Sequence, residues 1–179
     1  MQFERITIPE RSLILLIGAS GSGKSTFARK HFRPSEIVSS DTCRLMVADD
    51  DADQDATADA FDVLRCIAAK RLSRGRLTVI DATNVQPEAR HPLLALARQF
   101  EFKPVAIVLN LPEGICLAQN ATRPGRIVRA EVIRAQLADL RQSLSTLLLE
   151  GFYQVHSLTA PEEIEAIVLE RVTTHATTL

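Results

Sequence analysis

The stretch LLIGASGSGKST, residues 15–26, decides the fold of this chain. An apolar run ends in small residues, and Gly18, Gly23, Lys24 and Ser25 fit the pattern G-x-x-x-x-G-K-S/T without a mismatch. Glycines let such a loop curl until successive backbone N–H groups point at one anion. A helix that begins directly after the loop adds its positive N-terminal end. The stretch therefore predicts a phosphate-binding loop between a buried strand and a helix.

The same loop predicts a nucleoside triphosphate and Mg²⁺ as cofactors. In loops of this kind the lysine neutralises the β- and γ-phosphates and the following hydroxyl coordinates Mg²⁺. Asp81 closes a hydrophobic strand, where its carboxylate can hold the metal through water. The predicted nucleotide-binding residues of the loop and the helix start are Gly18, Ser20, Gly21, Ser22, Gly23, Lys24, Ser25 and Thr26.

Apolar runs and helical stripes alternate along the whole chain. They predict strands at 12–18, 37–41, 77–81, 104–110 and 152–158, and helices at 24–31, 61–72, 87–100, 112–121, 131–150 and 161–172. The acidic residues 49–55 predict a solvated loop or the start of a helix. Such alternation indicates an α/β fold in three layers, with a parallel five-stranded sheet between helices. We expect one domain over residues 1–179, with 173–179 as a frayed tail or the start of a linker.

Composition excludes several classes of protein. With 179 residues, 46% of them hydrophobic, the chain supports one domain with a real core. A net charge of −1 argues against a broad nucleic-acid coat, although a local basic patch remains open. Three cysteines without a C-x-x-C pair argue against a structural zinc or a disulfide framework. No apolar run approaches the length of a membrane span, so we expect a cytoplasmic protein that does not contact membrane.

A carboxylate and a guanidinium follow the second predicted strand. Asp41 ends VSSD, at the edge of the sheet where the loop also lies, and Arg44 comes three residues later on the same helical face. Phosphoryl transfer needs a base beside the attacking hydroxyl, and an arginine suits an acceptor phosphate. The alternative is that Ser40 or Asp41 only caps the helix that follows.

Five segments together resemble a known family. In order they are GASGSGKSTFA, VSSDTCR, VIDATN, NLPEGIC and TRPGR, and their spacing resembles the kinase domain of bacterial polynucleotide kinase-phosphatase over about residues 8–172. The resemblance implies an adenylate-kinase-like P-loop NTPase fold and transfer of the γ-phosphate of an NTP to the 5′-OH end of RNA or DNA in nucleic-acid repair. It implies Asp41 as the general base, assigned also to the metal site with Ser25 and Asp81. It implies Arg44 as a clamp on the acceptor's 3′ phosphate. Phosphatase and ligase domains of a longer polypeptide are the implied partners, and a stand-alone kinase is equally consistent with the sequence.

A small helical lid is predicted over residues 112–135. Arg123 and Arg126 lie in a turn between two helices, where a lid arginine can meet the charge that develops on the γ-phosphate. We expect both to bind the nucleotide and Arg123 to be catalytic; the alternative is that they are plain surface charges. Gln119 stands where the family has an arginine.

Further polar residues leave two interpretations open. Asn84, after DAT, contacts the acceptor or simply forms a turn. Arg71, Arg74 and Arg76 contact nucleic acid or only favour a helix dipole.

Two other functions compete with a polynucleotide kinase. One is a small-molecule P-loop kinase for a sugar or nucleoside. The other is an NTP-binding module without enzymatic activity, since the loop alone does not name a reaction.

Overall fold

The fold follows the predicted alternation of strands and helices. A computed structural model describes residues 5–124 and 127–173. The strands are β1 (Arg5–Pro9), β2 (Ser12–Ile17), β3 (Ile37–Ser39), β4 (Thr78–Asp81), β5 (Lys103–Leu109), β6 (Gln154–Leu158) and β7 (Val168–Val172). The helices are α1 (Lys24–His31), α2 (Ser40–Ala48), α3 (Thr57–Ser73), α4 (Pro87–Gln99), α5 (Glu113–Ala121), α6 (Ala130–Leu144) and α7 (Pro161–Ala166). Short 3₁₀ turns lie at Pro34–Glu36 and Leu147–Leu149.

The main sheet of the described residues is parallel and has the strand order β3-β4-β2-β5-β6. Every residue of β2 is buried, as its unbroken apolar sequence requires of a central parallel strand. One apolar cluster packs α3 and α4 on one face, and a second packs α1 on the other. The predicted α/β architecture, a five-stranded parallel sheet between helices, is confirmed.

The order of the strands positions the functional site. From β2 the chain turns first to one side of the sheet, through β3 and β4, and then crosses to β5 on the other side. Ligands of open α/β sheets bind beyond the carboxyl ends of the strands at such a reversal. The loop after β2 lies at this point.

The predicted helix over 161–172 is wrong in its second half. Helix α7 ends at Ala166, and Val168–Val172 forms a strand that pairs in parallel with β1. The sequence analysis also missed β1, whose Ile6 and Ile8 alternate into the core. A two-stranded sheet therefore joins the two ends of the described chain.

Further boundaries differ from the prediction, among them the ends of β3 and α6. Strand β3 ends at Ser39, two residues earlier than expected, because the Ser39 hydroxyl accepts a hydrogen bond from the Thr42 amide and caps α2. Asp41 therefore lies in the first turn of α2. Helix α6 ends at Leu144, and a 3₁₀ turn replaces the last part of the predicted helix over 131–150.

The acidic residues 49–55 form turns between α2 and α3, which agrees with the predicted loop rather than with the start of a helix. Within residues 5–124 and 127–173, no helix is long and apolar enough to cross a membrane. The tail over 174–179 lies outside the described residues.

Candidate active site

A cleft of about 1440 Å³ opens at the carboxyl edge of the sheet. The phosphate-binding loop and the start of α1 form its floor. Helices α2 and α3 form one wall, and the loop after α5 forms part of the other. The predicted site residues that line it are Ser20, Gly21, Ser22, Gly23, Lys24, Ser25, Thr26, Asp41, Arg44, Asp81 and Arg123. The structure thus brings most of the predicted site together.

The loop is fixed between β4 and α5. The Gly18 amide donates to the Thr83 carbonyl at 2.9 Å, which ties the loop to the segment after β4. Gly21 has φ +79°, and a Cβ atom there would lie 2.1 Å from the carbonyl oxygen of Cys116 in α5. Only glycine permits this close approach of two backbones. The phosphate-binding loop is therefore seated directly on the first helix of the predicted lid.

Lys24 is buried beneath the loop that it follows. Its Nζ donates to the Ala19 carbonyl at 2.7 Å and to the Ser22 hydroxyl at 3.3 Å. Burial lowers the pKa of Lys24 to about 8, against the opposing influence of the Asp81 carboxylate. The ammonium is thus held by neutral oxygens, and a bound phosphate would stabilise its charged form.

Ser25 and Asp81 form a pair suited to Mg²⁺. The Ser25 hydroxyl donates a hydrogen bond to the Asp81 carboxylate, and burial raises the pKa of Asp81. A hydroxyl and a carboxylate are hard oxygen donors, and Mg²⁺ bound with phosphates takes only one or two protein carboxylates. The described residues contain no cluster of three His, Cys, Asp or Glu ligands, which such a site does not need. The two side chains therefore fit the predicted metal.

Asp41 lies between two arginines. Its Oδ1 accepts from Nη1 of Arg44 at 2.9 Å, and its Oδ2 accepts from Nη2 of Arg123 at 3.2 Å. The second pair joins helix α2 to the predicted lid across 82 residues of sequence. These ion pairs engage both oxygens of the Asp41 carboxylate. The arrangement therefore does not favour ligation of Mg²⁺ by Asp41, which stays a prediction.

Arg44 is buried at the wall of the cleft. Its Nη1 also donates to the Asp51 carbonyl at 3.1 Å, which fastens the acidic loop to α2. Its buried Nε has no hydrogen-bond partner among the described residues. An oxyanion in the cleft is the kind of acceptor that such a donor needs.

Asn120 shapes the loop that carries Arg123. Its side-chain amide donates to the Val128 carbonyl at 2.8 Å and its oxygen accepts from the Val128 amide at 3.0 Å. The two hydrogen bonds join the end of α5 to the residue Val128 that precedes α6. Arg126, the second predicted lid arginine, lies outside the described residues.

Gln136 is a site residue that the sequence analysis missed. Its Oε1 accepts from the backbone amide of Ser20, within the phosphate-binding loop, at 2.8 Å. Helix α6 carries this side chain into the cleft. A polar residue in the middle of an amphipathic helix gives no local signal for such a contact, because only packing decides which loop it meets.

Asn84 does not lie where the acceptor prediction places it. Its side chain is 1% exposed, and its amide donates to the Leu16 carbonyl at 2.8 Å. The residue has φ +48°, a conformation that asparagine tolerates in turns. The prediction of an acceptor contact at Asn84 is therefore corrected to a buried turn residue that joins β4 to β2.

A buried ion pair supports that turn. Arg90 is 0% exposed and donates to the Asn84 carbonyl at 2.8 Å. Its other nitrogens bind the Glu150 carboxylate at 2.8 and 2.5 Å. Sequence reasoning missed this pair because the partners are 60 residues apart.

A family model described as an AAA domain matches residues 13–147, three quarters of the chain. The chain belongs to this family. The match runs from β2 to the 3₁₀ turn after α6, so it contains the loop, both walls of the cleft and the predicted lid.

Solved structures show the fold of this AAA domain in other proteins. A chain of the "Pnkp1/Rnl/Hen1 RNA repair complex" superposes with a TM-score of 0.66 at 22% identity, covering 78% of this chain and 47% of that one. A putative kinase from Chloroflexus aurantiacus gives 0.61 at 20% identity, covering 88% and 93%. A gluconokinase from Sinorhizobium meliloti gives 0.56 at 16% identity, covering 89% and 90%. These likenesses confirm the P-loop kinase fold, including the predicted resemblance to polynucleotide kinase at the level of the fold.

A curated relative shares part of the sequence. "Transcription factor bHLH140" of Arabidopsis thaliana is 33% identical to this AAA domain over 115 residues, which cover 63% of this chain and 12% of that protein. The match thus spans about an eighth of the length of that relative, and the chain spans about half of the repair-complex chain.

Proposed function

We propose that this chain is a polynucleotide 5′-hydroxyl kinase that transfers the γ-phosphate of ATP, or another NTP, to the 5′-OH end of RNA or DNA. The observation that carries the proposal is that Asp41 and Arg44 lie together in the wall of the P-loop cleft that α2 and α3 form. The cleft volume of about 1440 Å³ exceeds the roughly 300–1,000 Å³ of ordinary small-molecule sites. The order of motifs along the chain and the fold shared with an RNA-repair chain support the same substrate.

The donor side holds the triphosphate. Backbone amides of the loop and the ammonium of Lys24 bind the phosphates, and Ser25 with Asp81 would hold Mg²⁺. The metal, when bound, neutralises charge on the β- and γ-oxygens. Arg123 supplies a guanidinium that can follow the developing charge on the transferred group.

The acceptor side holds the attacking hydroxyl. Asp41 takes the proton from the 5′-OH as the oxygen attacks the γ-phosphorus, and Arg44 binds the phosphate on the 3′ side of the first nucleotide. Movement of Arg123 from Asp41 to the triphosphate would remove the ion pair at Oδ2. Phosphatase and ligase domains in a longer polypeptide, and a place in RNA repair, belong to this proposal.

The test is transfer of labelled γ-phosphate from ATP to a short 5′-OH RNA. We expect Asp41→Asn to lower the rate by a factor of about 10² to 10⁴ while nucleotide affinity stays within a few fold. Asp62→Asn is the matched control, because Asp62 has a side chain 71% exposed on α3 and does not line the cleft. Near-normal turnover by Asp41→Asn would refute Asp41 as the general base.

A small-molecule kinase is the second candidate, because this chain and the gluconokinase cover each other almost completely. Wild-type protein that binds ATP but does not label RNA would favour it. Phosphorylation of a sugar or nucleoside, without competition from a 5′-OH oligonucleotide, would establish it.

A further inference from the structure

A second, smaller cavity lies at the opposite end of edge strand β3. It has a volume of about 290 Å³, and Arg33, Arg71 and Arg76 line it with Ser35 and Glu36. We call it the arginine pocket. It lies where the chain enters β3 and β4, so it is remote from the phosphate-binding loop.

Positive charge in the arginine pocket exceeds negative charge. The carboxylate of Glu36 is engaged by both terminal nitrogens of Arg171, each at 2.8 Å. Arg71 donates to neutral oxygens, the Leu77 carbonyl at 2.9 Å and the Thr78 hydroxyl at 3.2 Å. Burial lowers the pKa of Arg71 against the opposing influence of the Glu36 carboxylate, and repulsion from Arg76 acts in the same direction as burial.

Arg33 and Arg76 are exposed, and neither side chain has an ion-pair partner in residues 5–124 and 127–173. The cavity therefore has three guanidinium groups, and its one carboxylate, Glu36, is already bound by Arg171. Such a cavity is suited to bind an anion with several oxygens.

The arginine pocket and the cleft are neighbouring cavities that share two lining residues. Ser35 and Arg71 line both cavities, and Ile37, Val38 and Ser39 line the cleft between them and Asp41. The three residues of β3 span roughly 10 Å, which is about three times the rise of about 3.4 Å per nucleotide along the axis of a helical strand. Edge strand β3 therefore separates the proposed base from the arginines by a length of more than one nucleotide.

We propose that the arginine pocket binds a backbone phosphate of the acceptor strand, a few nucleotides 3′ of the hydroxyl that is phosphorylated. The inference rests on the proposed polynucleotide kinase function and names a subsite for its substrate. Arg71 is the fixed member, held by β4, while Arg33 and Arg76 close on the phosphate from either side. Of the three arginines near the end of α3, Arg71 and Arg76 serve this site and Arg74 does not, because it does not line the pocket.

The experiment compares two 5′-OH acceptors in the labelling assay. One is a dinucleotide, which ends before the pocket, and the other is a single strand of about twelve nucleotides, within the usual range of single-strand sites. We expect Arg33→Ala and Arg76→Ala to raise the KM of the long acceptor about three- to tenfold and to leave the KM of the dinucleotide unchanged. Each variant should also reduce the dependence of log KM on log salt by about 0.7, the value for one lost contact to a single strand.

Arg74→Ala is the matched control, since it removes an exposed arginine from the same region without touching the pocket. The proposal is overturned if all three variants behave alike, or if wild-type KM is the same for both acceptors. It is also overturned if Arg33→Ala or Arg76→Ala raises the KM of ATP, because the pocket would then bind a phosphate of the nucleotide. Failure of the wild type to label either acceptor overturns the proposed function itself, which separates the two failures.

Discussion

Substituting Gly21 by alanine tests how the phosphate-binding loop is seated on α5. The new Cβ would lie 2.1 Å from the Cys116 oxygen and 3.0 Å from its carbonyl carbon, and helix backbone cannot swing aside as a side chain can. A φ of +79° adds left-handed strain, which costs about 1–2 kcal/mol for a residue with a Cβ. Displacing packed backbone costs about 1–3 kcal/mol more, so we expect a total loss of about 2–5 kcal/mol in unfolding free energy.

Two other glycines separate the two contributions. Gly23 has φ +90°, but its nearest atom would be 3.8 Å away, so Gly23→Ala carries the strain without the clash. Its expected cost is about 1–2 kcal/mol. Gly114 is in α5 with nothing within 4 Å, so Gly114→Ala should stabilise by about 0.5–1 kcal/mol.

Thermal unfolding with and without ATP is the assay. For a domain of this size 1 kcal/mol shifts Tm by about 2–4 °C, so Gly21→Ala should lose about 4–20 °C and Gly23→Ala about 2–8 °C. We also expect weaker ATP binding by Gly21→Ala, since the loop must move off α5. Equal Tm losses for Gly21→Ala and Gly23→Ala would refute the close packing of the loop against the helix.

Three more predictions follow from the site. ATP affinity should fall up to tenfold per pH unit above about 8, where buried Lys24 loses its proton, and Lys24→Met should remove that dependence in a binding titration. Because Lys24 in the unfolded chain keeps that proton up to its ordinary pKa of 10.5, stability in the absence of nucleotide should rise from pH 8 to 10.5, which denaturation at several pH values measures. Glu150→Gln leaves buried Arg90 unpaired and should cost about 3–5 kcal/mol in urea unfolding, whereas Glu113→Gln, in an exposed pair, should change little.

The sequence predicts the central sheet and the loop well because their signals are local. A wholly apolar strand such as β2, followed by the glycine-rich loop, determines both structure and position from adjacent residues. Asp41 and Arg44 are three residues apart on one helix, so their contact also follows from spacing alone. The error of two residues at the end of β3 did not disturb that inference.

The missed features depend on contacts between distant parts of the chain. Strand β7 has a sequence, VLERV, that suits a helix as well as a strand, and only its pairing with β1 decides between them. Whether Asn84 faces the cleft or the interior is set by one backbone turn at φ +48°, which spacing along the sequence does not reveal. The contact of Gln136 with the loop likewise exists only once α6 has packed.

The arrangement of charges around Asp41 explains how donor and acceptor binding can be linked. Both arginines that bind the carboxylate are also predicted to bind phosphates, Arg44 on the acceptor and Arg123 on the donor. A triphosphate offers Arg123 more negative charge than one carboxylate does, so donor binding favours the exchange of partners. Since Arg44 would retain its ion pair with Asp41 during that exchange, we expect the carboxylate to stay oriented. If Asp41 is the general base, we expect it to accept a proton only when a triphosphate is in the cleft, which would limit loss of the γ-phosphate to water.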